Sequence, residues 1–108
     1  MKIIIAGCGK VGYALAQQLN EEGHDLTLID NSADRLQPAL SNLDLQGVVG
    51  NASSFLTLLE ADIEHTDLLI AVTGQDEINL ILEVIKEHSS PEELQKINQT
   101  IKMFQNRK

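Results

Sequence analysis

Three consecutive β-branched residues, Ile3, Ile4 and Ile5, run almost directly into GCGKVG at residues 7 to 12. A continuous apolar run has no polar face to offer to water, so it forms a strand covered on both sides, the habit of a parallel sheet. Behind the glycines, Val11, Ala14, Leu15 and Leu19 recur at helical spacing, and Gly23 stands where a left-handed helix C-terminal cap is expected. Leu26 to Ile29 then supplies a second buried strand. Together these make one β-α-β unit of about 30 residues.

The alternation continues. Asn31 or Ser32 can cap a helix through Leu40, Ser53 or Ser54 can cap another through Ala61, and Val48 with Val49 and Leu68 to Val72 read as the third and fourth strands. Pro38 removes a backbone donor, so a kink, or a short irregular helix before it, is expected there. Four strands alternating with helices predict the α/β class: a doubly wound, Rossmann-like parallel sheet of order 3-2-1-4 with flanking helices and a C-terminal helix. At 108 residues the chain suffices for one such domain. A helix is expected from Asp76 to about His88, with Ile78, Ile81, Leu82 and Ile85 on its buried side, and no fifth strand. Ser90, Pro91 and Glu93 then have the pattern of a fresh helix start, and Leu94, Ile97, Ile101 and Phe104 form a narrow stripe suited to pairing helices.

Sixteen acidic against eight basic residues give a formal charge of −8, and of the basic residues only Arg107 and Lys108 are adjacent. With three aromatic side chains as well, nucleic-acid binding is not expected. The single cysteine, Cys8, cannot pair within the chain and suits a reducing, cytoplasmic setting. Ile3 to Ala6 is too short for a signal peptide, and no stretch approaches the ~20 apolar residues of a membrane span, so direct membrane insertion is not expected.

Gly7, Gly9 and Gly12 follow a buried strand and open a helix, the setting in which G-x-G-x-x-G has a physical meaning. The first permits a tight turn, the second lets backbone approach a pyrophosphate, and the third allows close helix-to-strand packing. Phosphates would meet the free amides of the helix start, around Lys10 and Val11, where the dipole is positive. Lys10 itself can touch a phosphate or simply be solvated. Cys8 reads as a small packed residue lending its amide. Eighteen residues past Gly12, Asp30 ends the second strand, the position from which a carboxylate reaches an adenine ribose, with Asn31 beside it. A 2′-phosphate would bring negative charge against Asp30, with Arg35 the one nearby arginine, so NAD or NADH is expected over the phosphorylated form.

The segments MKIIIAGCGKVGYALAQQL, DLTLID, VVGNAS and DLLIAVTGQDEINLI resemble the N-terminal nucleotide-binding domain of the Trk and Ktr potassium-uptake regulators. The most telling pair is GNAS after the third strand with VTGQDEIN after the fourth. The resemblance implies that Gly50, Asn51 and Ala52 border the adenine, while Val72, Thr73 and Gly74 approach ribose and phosphates from across the crevice. Asp76, Glu77 and Asn79 match the family's helix start there, though Asp76 can equally act as a cap. It further implies a cytoplasmic, non-enzymatic regulator, with NAD(H) or ATP, ADP or AMP as the signal. Its expected partners are a potassium-translocating membrane subunit and further copies of itself in a dimer or higher homo-oligomer. After Leu82 the resemblance lapses: residues 83–108 read as an atypical helical segment, and the fifth strand, helix, sixth strand and C-terminal ligand domain of longer members have no counterpart.

Two other readings stay open on sequence. A fragment or minimal form of an NAD-dependent oxidoreductase would need a proton donor near the cofactor, for which Tyr13, His24, His65 and His88 are meagre candidates. A purely structural or dimerising protein would leave the glycine loop vestigial.

Overall fold

A computed structural model describes residues 1–73, 79–84 and 91–105. In chain order the elements are β1 (Lys2–Ala6), α1 (Lys10–Glu21), β2 (Asp25–Asp30), α2 (Ala33–Asn42), β3 (Gln46–Val49), α3 (Phe55–Glu60), a 3-10 turn (Ile63–His65), β4 (Leu68–Thr73), β5 (Asn79–Val84) and α4 (Pro91–Gln105). The strands form one sheet of order β3-β2-β1-β4-β5. β1 to β4 are mutually parallel in the expected order, and β5 runs antiparallel to β4.

The pleat divides the isoleucine run between two layers. Ile3 and Ile5 join Leu26, Leu28, Leu68 and Ile70 on one face, under Leu15 and Leu19 of α1, Leu36 and Ala39 of α2, and Ile97 of α4. Ile4 and Ile29 face the other way, against Ala61 and, more peripherally, Val48, Leu58, Ile63 and Leu69. Ile3, Ile4 and Ile5 have no exposed surface, so each contributes on the order of 1.5–3 kcal/mol through burial.

Three expectations are corrected. The helix expected from Asp76 to His88 is not formed over Asn79–Val84, which is a fifth strand, with Ile70 opposite Leu82 and Val72 opposite Leu80. NLILEV is nearly continuous in apolar residues, so its periodicity fits a buried strand and a helix alike, and pairing with β4 decides. Of the two outcomes expected at Pro38, the short irregular helix ending before it is not seen, since α2 continues past it. The helix runs from Ala33 to Asn42 because Pro38 lies on the exposed side, while Leu36 and Ala39 anchor the opposite side to the sheet. Ser32, not Asn31, caps that helix, its Oγ accepting from the Arg35 amide at 3.4 Å. Finally, α4 starts at Pro91 as expected, but Ile97 of its stripe is fully buried in this chain's own core. Leu94, Ile101 and Phe104 have side chains outside the described set, as are Ser90 and the whole of Asp76 and Glu77.

At the sheet edge opposite the strand carboxyl ends, Asp62 occupies the left-handed region with φ of 65°. Its Oδ1 lies 2.6 Å from His65 Nδ1, and its Oδ2 receives the Lys2 ammonium. The hydrogen bond from His65, followed by that from Lys2, holds the Asp62 carboxyl below its ordinary range. A carboxylate with a depressed folded-state pKa stabilises the fold above its unfolded pKa, and that contribution is lost as pH falls through the folded value. Asp62→Asn keeps a side chain that tolerates the left-handed backbone while removing the charge. It is expected to lower the thermal midpoint modestly at neutral pH and to flatten part of the acid-side decline, both readable from melts between pH 7 and pH 2.

Candidate functional site

The loops after β1, β2 and β3 meet the end of β4 at the carboxyl-terminal edge of the sheet, and there they border a cleft of about 440 Å³. Gly7, Asp30, Asn31, Gly50, Asn51, Ala52 and Val72 all line it, which brings half of the expected site residues to one place. Ala6, Ile29, Arg35, Ser53 and Ala71 complete the wall. Cys8, Gly9, Lys10, Val11 and Gly12 lie on the adjoining loop and first turn of α1 rather than in that wall. Thr73 ends β4, and Gly74 lies outside the described residues. Neither Tyr13, half-buried on α1, nor His24 nor His65 lines the cleft, and His88 also lies outside the described residues.

The three glycines of the loop differ in what the fold asks of them. Gly7 has φ of +109°, and a Cβ on it would stand 2.7 Å from the Val72 carbonyl oxygen. A Cβ on Gly12 would come within 1.9 Å of the Gly7 carbonyl oxygen, so the helix can rest on the strand only without one. Gly9 is different: its backbone is extended, and a Cβ there meets no described atom within 4 Å. Packing among the described residues therefore gives no reason for glycine at position 9, whereas an anion resting on bare backbone does. Gly9 caps α1 without a side-chain hydrogen bond, and the first turn contains no acid. The amides of Lys10, Val11 and Gly12 thus begin the helix without intrahelical partners, at the positive end of its dipole.

Asp30 faces this region but does more than border it. Its side chain is 6 % exposed. Oδ2 accepts from the Cys8 amide at 2.9 Å, Oδ1 from the Ser32 amide at 2.8 Å, and its main-chain carbonyl from the Gly50 amide at 2.9 Å. One residue therefore ties together the loops that follow β1, β2 and β3. Each carboxylate oxygen keeps a second lone pair, so the side chain retains accepting capacity beyond these two amides. The Cys8 amide is given to Asp30 and reaches a ligand only through it. Its thiol is buried and donates to the Arg35 carbonyl at 3.4 Å. Burial pushes the thiol pKa up, the Asp30 carboxylate adds to this, and Arg35 opposes it. A protonated, enclosed sulfur of this kind is a packing group rather than a nucleophile.

Among the five wall residues that sequence reasoning left out of the site, Arg35 is the charged one. Its side chain is 58 % exposed, with Nη1 3.9 Å from Asp30 Oδ2. The signal was present in the cap: with Ser32 at the N-cap, residue 35 is the third helical position and sits over the end of β2.

Two substitutions separate the roles of the loop. Gly12→Ala is expected to destabilise the fold by about 1–3 kcal/mol or more, because backbone must move. Gly9→Ala is expected to stay within about 0.5 kcal/mol of the parent, as surface replacements do. Urea titrations followed by circular dichroism would measure both. Asp30→Ala, which strands buried amides, is expected to cost about 1.5–3 kcal/mol for each charged hydrogen bond lost, with Asp30→Asn milder in the same titration.

The model of the TrkA-N domain family matches residues 3–101. A Trk system potassium uptake protein TrkA from Azorhizobium caulinodans is 44 % identical over 81 residues, 75 % of this chain and 18 % of that protein. The protein of the same name from Vibrio alginolyticus is 48 % identical over 80 residues, 74 % of this chain and 18 % of its own length. A TrkA homolog from Methanothermobacter thermautotrophicus is 37 % identical over 99 residues, 91 % of this chain and 46 % of that protein. This chain thus spans less than half the length of each. The crystal structure of gox2253 superposes with a TM-score of 0.52 at 22 % identity, covering 97 % of this chain and 29 % of the other, and supports the Rossmann-like fold. With a family model spanning nearly its whole length, the chain belongs to the TrkA-N domain family.

Proposed function

We propose that this chain is a nucleotide-sensing module of a potassium-uptake system, binding an adenine nucleotide as a signal rather than transforming it. The observation that carries the reading is the pairing of two features on one sheet edge. One is a helix start whose capping glycine is unexplained by packing. The other is a cleft with a nearly buried carboxylate that has hydrogen-bonding capacity left. Diphosphate fits the amides of Lys10, Val11 and Gly12, and the ribose hydroxyls fit Asp30. Asn31, Gly50, Asn51 and Ala52 then flank the base, with Val72 and Thr73 at the end of β4. NAD or NADH meets these demands, and so do ATP, ADP and AMP, since all carry the same adenosine ribose.

The potassium system comes from the relatives, which are named as Trk potassium-uptake proteins. The partners that follow are a potassium-translocating membrane subunit and other copies of the module in a cytoplasmic homo-oligomer. A ligand biases such an assembly only through a difference in its affinity for two arrangements of the paired domains. Calorimetric titration with NADH and with ATP is the direct test. Saturable binding by the parent is expected, together with at least a tenfold loss in Gly9→Glu, which sets a carboxylate against the phosphates while leaving the fold intact. Absence of binding at millimolar nucleotide, or equal affinity in that variant, would overturn the proposal.

A further inference from the structure

We propose that Arg35 forms the outer wall of the base subsite, its guanidinium lying flat against the adenine ring; this assignment rests on the nucleotide-binding reading above. The residue is anchored by its backbone, whose amide donates to Ser32 Oγ, while its side chain reaches the rim of the cleft. At 3.9 Å from Asp30 Oδ2 the guanidinium is beyond hydrogen-bonding distance, and it makes no side-chain hydrogen bond among the described residues. Charge therefore holds it near the end of β2, with more than half of the side chain open to solvent. Gly50 and Ala52 stand in the same cleft wall, and neither carries a side chain longer than a methyl group. A slot with a planar cation on one side and small residues in its wall suits a flat aromatic ring.

The other candidates for Arg35 are weaker on geometry. Diphosphate belongs at the start of α1, whose residues Gly9, Lys10 and Val11 do not share the cleft wall with Arg35. A 2′-phosphate at the ribose would lie against the Asp30 carboxylate as well as Arg35, and that acid is fixed in place by two main-chain amides. The base remains, and stacking on a guanidinium is available to any base without edge-specific hydrogen bonds. Arg35 thus makes the site respond to the presence of a nucleobase, separating nucleotides from simple sugar phosphates.

The test is a double-mutant cycle in which one change is made in the ligand. AMP and ribose 5-phosphate would be titrated into the parent, Arg35→Ala and Arg35→Lys, with amide chemical shifts as the readout. Arg35 is largely exposed and its backbone hydrogen bond survives truncation, so the variants are expected to fold. AMP should bind Arg35→Ala about 2- to 30-fold more weakly than the parent, the range a cation-π contact spans from exposed to desolvated sites. Arg35→Lys should fall between, and ribose 5-phosphate should be unaffected. Equal losses for the two ligands would overturn the assignment, as would unchanged AMP affinity in a parent that binds AMP. A loss for NADPH that exceeds the loss for NADH would assign Arg35 to a 2′-phosphate instead and also overturn it. If the parent binds no AMP at all, the nucleotide reading itself fails, which is a distinct result.

Discussion

The carboxyl-terminal edge of this sheet depends on the hydrogen bonds gathered at Asp30. Parallel strands leave their connecting loops at separate points along that edge, and nothing in strand pairing alone draws the loops together. Here one residue does so, taking the Cys8 amide and the Ser32 amide on its carboxylate and the Gly50 amide on its carbonyl. Because the side chain is almost wholly enclosed, those bonds are shielded from water and from salt, and breaking them leaves buried donors without acceptors. The residue expected to grip a ligand is thus also the residue that builds the cleft.

That double role changes how a substitution at position 30 is read. Loss of affinity in Asp30→Ala can follow from a missing ribose contact or from a loop that no longer meets its neighbours. Gly9 carries no such ambiguity, since a Cβ there meets no described atom within 4 Å. The loop therefore divides by function within six residues: Gly7 and Gly12 serve the packing of α1 on β1 and β4, and Gly9 is open to the outside.

Much of this was legible in the sequence. β1 to β4 and their order follow from short apolar runs separated by amphipathic stretches, because a two-sided sheet demands strands without a polar face. The end of α1 at Gly23 and the start of α4 at Pro91 follow from residues whose backbone preferences are local. β5 was not legible, since Leu80, Ile81, Leu82 and Val84 satisfy both periods and only the neighbouring β4 selects one. Pro38 misled for the opposite reason: its cost is local and real, but two buried neighbours on the far side of α2 outweigh it. Within the site, the positions of Asp30 and the glycines could be read from spacing. The main-chain partners of Asp30 could not, because backbone amides leave no mark in a sequence, and neither could the approach of Arg35 to it.

The contact between Gly12 and Gly7 carries one last implication. With a second hydrogen on its α-carbon where every other residue carries a β-carbon, Gly12 lets the first turn of α1 settle directly onto the carbonyl of Gly7. The height of the helix above the sheet is therefore set by backbone touching backbone, the stiffest spacer a protein has. Side-chain repacking elsewhere in the core can tilt or loosen other elements, but the platform at the mouth of the crevice keeps its level, calibrated by an atom the residue lacks.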